Sequence, residues 1–393
     1  MTPAARVQAA IELLDQIIAA ARADGAAADT LIARYFSERR YAGSKDRRAV
    51  RELVYRAIRS FGETPESGRA AMVALAGQDG DLATLFTGEG HGPAPIRDDE
   101  PASDMSLLPR WIVPLLASPV DEAEQAALLG RAPLHLRANA LKIDRAGLLA
   151  SLPGAEPILS TKHGFSLPEG TNVDSADGLA EVQDAGSQLI AAACEARPGM
   201  TVLDLCAGAG GKTLALAADM QGQGRLIAAD TVRDRLARLV PRAERAGAAA
   251  MIETRLLNPE KETDALADLA GACDIVLVDA PCSGAGTWRR NPEARWRLTP
   301  ARLDRIVALQ ARLAGVAAAL VRPGGRLVYA VCSLLDREGR GQVEAFLAAH
   351  PGWRACSATS PDEAQVQGYG PGTLLLPGRD GTDGFFFAAL EKA

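Results

Sequence analysis

The sequence predicts an α/β protein in which an all-α N-terminal domain precedes a parallel sheet covered by helices. Three observations carry this reading. Up to about residue 125 the chain reads as helices and loops, with apolar residues at helical spacing. After Gln183, short apolar runs alternate with helical segments, the pattern of strands joined by crossover helices. Between the first of those strands and its helix lies a glycine-rich turn, Gly208-Ala209-Gly210-Gly211. At 393 residues the chain exceeds one comfortable core, with roughly 150 residues per domain as a soft guide. Changes in texture divide it into residues 1–130, 131–182 and 183–393.

Residues 4–24 form the first expected helix, with Val7, Ala10, Ile11, Leu14, Ile17, Ile18 and Ala21 on one stripe and Asp24-Gly25 as a stop. A second strong helix spans 44–61, with Ser44 as its N-cap and Ala49, Leu53, Val54, Ala57 and Ile58 as its apolar face. The stretch 87–104, rich in Gly, Pro and charge, reads as a long surface loop. Residues 134–143 alternate like a strand, and 164–170 read as a strand and turn. The sheet strands are expected at 201–206, 225–230, 251–257, 273–280 and 325–332. Helices are expected near 212–220, 232–247 and 301–321.

Composition excludes several classes. The hydrophobic fraction is 48% and the charged fraction 23%, close to a soluble globular average. No window approaches the roughly 20 apolar residues of a membrane span. The N-terminus places Glu12 and Asp15 inside its apolar pattern, which is an amphipathic helix and not a signal sequence, so a cytoplasmic protein is expected. The six cysteines all lie beyond residue 193 without a CxxC pair, and the four histidines are scattered; neither a disulfide framework nor a metal site is expected. A net charge of −6 does not advertise a nucleic-acid binder. Between Leu31 and Ser60, however, nine basic residues (Arg47 and Arg48 among them) face three acids, a local net of +6. That patch reads either as a solvated helical face or as a surface for RNA phosphates.

The segment DLCAGAGGKT (204–213) closes a strand and opens a helix. Its glycines allow close backbone approach to a ligand, and the helix N-terminus favours a polar or anionic group. Asp230 ends the next strand, where an acid commonly binds ribose hydroxyls. A phosphate loop is disfavoured because Cys206 stands where the GxxxxGK[ST] spacing requires glycine. By itself this loop establishes only a nucleoside-bearing cofactor, and a nicotinamide site stays open.

Two further segments, VDAPCSGAGTWRRNP (278–292) and YAVCS (329–333), sit at the ends of the fourth and fifth expected strands. Ligands of open α/β sheets bind outside the carboxyl ends of the strands, so Asp279, Cys282 and Cys332 should converge near the glycine loop. A lone buried cysteine is usually a small hydrophobe; two with an acid at adjacent strand ends suggest chemistry. Cys194, Cys273 and Cys356 are read as structural, and Tyr329 as packing beneath the Cys332 strand.

Together DLCAGAGGKT, DAPCSGAGTWRRNP, YAVCS and DGFFFAAL (383–390) resemble the RsmB/Nop2/Sun family of RNA cytosine-5 methyltransferases, across about 134–393. LRANALK (136–142) and VQDAGSQL (182–189) resemble family segments that precede the cofactor loop. YAGSKDRRAVRELVYRAIR (41–59) resembles the NusB-like RNA-binding domain of the bacterial RsmB branch. The resemblance implies a Rossmann-like class I methyltransferase domain using S-adenosyl-L-methionine, behind an all-α NusB-like domain and a small α/β element. It implies that Cys206, Ala207, Gly208, Ala209, Gly210, Gly211 and Lys212 surround the methionine part, that Asp230 holds the ribose with Arg235 nearby, and that Asp279 lies between cofactor and cytosine. Cys332 would attack and Cys282 would release the product. The residue types suit this chemistry: a thiolate adding at carbon 6 makes carbon 5 nucleophilic, an acid near ring nitrogen 3 stabilises the adduct, and a second thiol assists elimination. DNA cytosine methyltransferases use a Pro-Cys thiol to attack, which would be Cys282; the additional Cys332 favours the RNA arrangement.

Three positions depart from the family pattern. Ala209 stands where proline is frequent, Val331 replaces a common threonine, and ETRLLNPEK (253–261) lacks the usual Gly-Asp, leaving Asn258 as the candidate adenine contact. Arg289, Arg290, Arg295 and Arg297, interleaved with Trp288 and Trp296, read as single-stranded RNA contacts or as a loop packed by its tryptophans. Arg137 is a further candidate RNA contact. The expected partner is RNA, ribosomal before transfer RNA, with the cytosine unpaired or extruded. A non-catalytic RNA-binding or assembly factor, and a small-molecule or protein methyltransferase, are the readings from other classes.

Overall fold

The computed structural model describes residues 1–168, 170, 171, 173, 178–356 and 367–393. They form two compact units: Met1–Gly130 with Thr287–Pro300, and Arg131–Gly286 with Ala301–Ala393.

The first unit is helical: α1 (Pro3–Arg22), α2 (Ala28–Glu38), α3 (Ser44–Ser60), α4 (Gly68–Ala76), α5 (Gly80–Ala83) and α6 (Glu122–Ala127). Helix α1 starts where the Thr2 hydroxyl accepts the Ala5 N–H at 3.2 Å and Pro3 occupies the first turn. Its buried face, including Val7, Leu14 and Ile18, packs with Phe36, Val54, Ile58 and Met72 into one core. Helix α3 begins at Ser44, but Gly43 takes the cap position in extended conformation; Ser44 is already helical.

Residues 287–300, expected from sequence in the third domain, group with this helical unit. The reason lies in the end of α3. Arg295, 1% exposed, donates to the carbonyls of Ile58 at 2.6 Å and Phe61 at 2.9 Å. From the backbone of the described residues, the Ile58 carbonyl receives only the Phe61 N–H at 3.4 Å, at the terminating end of the helix, and Phe61 is the extended residue just beyond it. Trp296 donates Nε1–H to the Phe61 carbonyl at 2.8 Å and is buried in the helical core. Arg297 donates to Gly25 and Ala26 at 2.5 and 2.6 Å.

The second unit holds two sheets. The smaller, ordered β2-β3-β1-β4, is antiparallel: β1 (Leu134–Ala138), β2 (Glu156–Pro157), β3 (Gly164–Leu167) and β4 (Ala180–Val182), with α7 (Arg145–Ser151) between β1 and β2. The strand expected over 134–143 stops at Ala138 because Asn139 turns the chain. Its side-chain amide donates to the carbonyls of Gly178 and Ala246, each at 2.8 Å. These bonds, with Gln188 donating to Leu136 at 3.1 Å, tie residues 131–182 into the larger unit, within which they keep a sheet and a small apolar core of their own. Of the expected strand and turn at 164–170, Glu169 lies outside the described residues.

The larger sheet runs β11-β12-β13-β9-β8-β5-β6-β7, with β10 paired to β13, nine strands among the described residues. They are β5 (Thr201–Asp204), β6 (Arg225–Asp230), β7 (Ile252–Leu256), β8 (Cys273–Asp279), β9 (Val321–Val331), β10 (Trp353–Cys356), β11 (Gly368–Tyr369), β12 (Gly372–Leu375) and β13 (Phe385–Lys392). Strands β5 to β9 are parallel and β13 is antiparallel to β9. The helices of this unit are α8 (Ala185–Ala193), α9 (Gly211–Asp219), α10 (Arg233–Ala246), α11 (Glu262–Ala265), α12 (Pro300–Leu320), α13 (Arg340–Ala349) and α14 (Pro377–Asp380). The five expected strands and three expected helices are all present. From the central strand β5 the chain builds outward to β6 and β7 on one side and to β8 and β9 on the other. That reversal opens a crevice at the carboxyl ends. Among the described residues no helix is long and apolar enough to cross a membrane.

Candidate active site

The crevice is lined from four consecutive strand ends. Asp204 ends β5, Asp230 ends β6, Asp279 ends β8 and Cys332 follows β9. The glycine loop leaves β5 and enters α9 through Gly210, in the left-handed conformation with φ of 84°. A side chain there would strike Leu239 at 2.1 Å, so this position requires glycine twice over. At Gly208 and Gly211, by contrast, a Cβ would point into open space. Gly208 has φ of +56°, so a side chain there would still be strained.

Asp230 is already engaged with the loop. Its carboxylate accepts the Gly208 N–H at 2.8 Å and the Val232 N–H at 2.7 Å, one on each oxygen. Each oxygen keeps a second acceptor site, the pair of acceptors that the hydroxyls of a ribose diol can donate to. The open face at Gly208 and Gly211, the α9 N-terminus and this carboxylate together fit a nucleoside-bearing sulfonium cofactor. Ala209, where the family pattern has proline, is braced differently: its carbonyl accepts from Arg242 at 2.5 Å, and Arg242 pairs with Glu181 at 2.7 Å. Arg235 is exposed on the first turn of α10, and Asn258 is exposed after β7; among the described residues no contact ties either side chain to the crevice.

The reactive groups lie beside the loop. Lys212 donates to Asp279 at 2.6 Å. Burial disfavours the lysine charge, but the adjoining carboxylate outweighs it and raises the Lys212 pKa above its ordinary value. Cys282 and Cys332 are unoxidised, half-buried thiols with sulfurs 3.2 Å apart. The hydrogen bond to Cys332, reinforced by burial, holds the Cys282 thiol well above the usual thiol range. Asp204, 1% exposed beneath the loop, is pushed by burial up to about 7, while the Thr213 hydroxyl bonded to it at 2.7 Å pulls the other way. Burial likewise raises Cys206.

Four residues around the thiols, Ser283, Gln310, Ser333 and Glu338, carry no periodic signal and were not anticipated as site residues; nor was Arg242 beside the glycine loop. Glu338 is fully buried and accepts the Ser283 N–H at 2.8 Å and the Ser333 hydroxyl at 2.5 Å. The repeated Cys-Ser dipeptide at 282–283 and 332–333 was the signal available in the sequence.

Among the candidate RNA contacts the structure separates exposed from buried. Arg47, Arg48 and Arg290 are exposed. Arg137 is only 4% exposed and donates to Gln183 at 2.7 Å, so it braces the small sheet instead of presenting its charge. Arg289 is 5% exposed, and Trp288 and Trp296 are buried, so the 287–300 segment offers no stacking platform from its tryptophans. Of the basic cluster, Arg51 pairs with Asp29 and Arg56 with Asp79, each at 2.6 Å. Cys194 and Cys273 are buried, Cys356 contacts Glu391 at 3.5 Å, and no cluster of metal-ligating residues occurs among those described.

A parallel sheet with this strand order, a glycine loop over an acidic strand end, and an antiparallel last strand define a methyltransferase that uses S-adenosyl-L-methionine. Comparison with known proteins narrows the class. Residues 191–391, just over half of the chain, match the family described as 16S rRNA methyltransferase RsmB/F, and the chain belongs to that family. It is 35% identical over 318 residues to a probable ribosomal RNA small subunit methyltransferase B of Synechocystis, covering 76% of this chain and 70% of that protein. It is 40% identical over 230 residues to the ribosomal RNA small subunit methyltransferase B of Thermus thermophilus, covering 58% of this chain and 54% of that one. The crystal structure of a methyltransferase homologue from Pyrococcus horikoshii superposes with a TM-score of 0.61 at 26% identity, over 72% of this chain and 93% of the other.

Proposed function

We propose that the protein methylates carbon 5 of a cytosine in RNA, with Cys332 as covalent nucleophile, Cys282 as the group that releases the product and Asp279 as the group facing the ring. The observation that carries this reading is the pair of reduced thiols 3.2 Å apart, next to the Lys212–Asp279 ion pair. Either thiol alone could be packing. Two thiols within hydrogen-bond distance of each other beside an acid match a reaction that needs both a nucleophile and a base.

The chain's residues divide the work as follows. The S–H of Cys282, with its raised pKa, donates towards Cys332 and stabilises that sulfur as the thiolate that adds at carbon 6. Lys212 holds Asp279 at the crevice, where its carboxyl group faces ring nitrogen 3 and stabilises the adduct. Asp230 and the backbone of residues 206–212 hold the cofactor, which supplies a methyl group on a positively charged sulfur. Once Cys332 is bonded to carbon 6, Cys282 gives up its proton to solvent; after methyl transfer its thiolate takes up the proton lost from carbon 5, and Cys332 leaves as thiolate, which restores the starting pair.

Ribosomal RNA of the small subunit is the proposed substrate, supported by the names of the relatives from Synechocystis and Thermus thermophilus. The exposed Arg34, Arg40, Lys45, Arg47 and Arg48 of the helical unit are proposed to hold phosphates, that unit serving as a NusB-like RNA-binding domain. The test is mass spectrometry of small-subunit RNA nucleosides after incubation with protein and S-adenosylmethionine. The reading expects 5-methylcytidine with the wild type and none with Cys332→Ala. Methylation at another atom, or an unimpaired Cys332→Ala variant, contradicts it.

A further inference from the structure

We infer that Glu338 is a positioning residue that sets the separation of the two thiols. This rests on the two-thiol reaction proposed above, but its first readout does not. Glu338 lies in the turn between β9 and α13 and is completely buried. One of its oxygens accepts the Ser283 N–H at 2.8 Å and the Gln310 amide at 2.9 Å. The other accepts the Ser333 hydroxyl at 2.5 Å and the Ser283 hydroxyl. All four acceptor sites of one carboxylate are therefore used. Ser283 directly follows Cys282, and Ser333 directly follows Cys332. One buried carboxylate thus ties together the two loops that bear the thiols, each at one residue's distance from its sulfur.

The carboxylate is itself fixed from several sides. The Tyr329 hydroxyl donates to the Glu338 carbonyl at 2.7 Å, from within the strand that leads to Cys332. Gln310 of α12 also donates to the Pro281 carbonyl at 3.0 Å, so the same amide holds the residue before Cys282. Apart from Glu338 the two loops are linked from the Gly286 N–H to the Cys332 carbonyl at 3.0 Å, between the Ser283 and Ser333 hydroxyls at 3.2 Å, and between the thiols themselves at 3.2 Å. Hydrogen bonds to a buried carboxylate are roughly twice as strong as neutral ones. A misplacement of about 1 Å in a reacting pair costs on the order of 100-fold in rate.

The test uses the full chain and two readouts. Diamide oxidises two neighbouring thiols to a disulfide, its azo group taking up the two electrons and two protons; the rate of Cys282–Cys332 pairing, followed by mass spectrometry, reports their proximity without RNA. The second readout is the division between kcat and KM for RNA methylation. Glu338→Ala is expected to slow pairing and to lower kcat on the order of 100-fold with KM for RNA little changed. Glu338→Gln should restore most of both, because its carbonyl accepts the two N–H groups while its amide donates to the two hydroxyls. If Glu338→Ala does not fold, the Ser283→Ala and Ser333→Ala double variant decides, with a slowed pairing rate expected. Wild-type pairing and kcat in a folded Glu338→Ala or in the double variant would overturn the inference. If the wild type forms no 5-methylcytidine while its pairing rate still depends on Glu338, the proposed reaction fails and the positioning role stands.

Discussion

Asp204→Asn should make the protein's stability less dependent on pH, and the size of the effect follows from where the carboxyl lies. Asp204 is 1% exposed, accepts one hydrogen bond from Thr213, and its Oδ1 has no partner. Burial raises its pKa from the ordinary 3.8 to about 7, with the charges of Asp279 and Asp230 adding to the rise. A carboxyl whose folded pKa lies above its unfolded one binds its proton more tightly in the folded chain. Its contribution is therefore most favourable at low pH, and stability declines as pH rises from the unfolded value to the folded one. Between pH 5 and pH 8 this single group should cost about 2–3 kcal/mol. The asparagine variant has no such titration and keeps the Thr213 hydroxyl bonded to its carbonyl. Its new N–H at the unpartnered position costs about 1–3 kcal/mol at every pH, so only the slope is diagnostic. Urea denaturation of both proteins at pH 5, 6, 7 and 8, without cofactor, measures it. The wild type should lose about 2–3 kcal/mol relative to the variant across that range. Parallel pH profiles would refute the reasoning and show that Asp204 is ionised in the folded protein throughout.

Three other expectations are simpler. Arg295→Met should destabilise the helical unit by about 3 kcal/mol, because a buried guanidinium is replaced and the carbonyls of Ile58 and Phe61 each lose one of their donors, which limited proteolysis near residue 60 would report. Asp230→Asn should weaken S-adenosylmethionine binding about 10-fold in calorimetry, since the acceptor of the Gly208 N–H and of the ribose hydroxyls loses its charge. Arg47→Gln with Arg48→Gln should weaken RNA binding and reduce the slope of log affinity against log salt by roughly one to two, with the methylated position unchanged.

Much of the sheet was legible because each strand is a short apolar run closed by a chemical residue. Asp204, Asp230, Asp279 and Cys332 mark the ends of strands, and the parallel topology brings those ends together whatever the loops do. The glycine loop was legible for a different reason: Gly210 has no substitute beside Leu239 at φ of 84°, so the sequence records the constraint. The fate of residues 287–300 was not. Alternating Arg and Trp look alike whether they face RNA or a helix end, and only the carbonyls of Ile58 and Phe61, more than 230 positions away, distinguish the two. Arg137 misled for a related reason, since an arginine in an alternating strand carries no mark of which face is covered. Glu338 was invisible because its role depends on two serines from loops 50 residues apart meeting at one carboxylate.

The central claim is that Cys332 attacks and Cys282 releases. The direct measurement incubates Cys282→Ala with S-adenosylmethionine and small-subunit RNA and resolves the protein on a denaturing gel. The account expects a slower, ribonuclease-sensitive band, since the adduct forms but cannot break down, and expects that band to vanish when Cys332→Ala is added. An adduct that persists in the double variant, or cytosine methylation retained by Cys332→Ala alone, would contradict it.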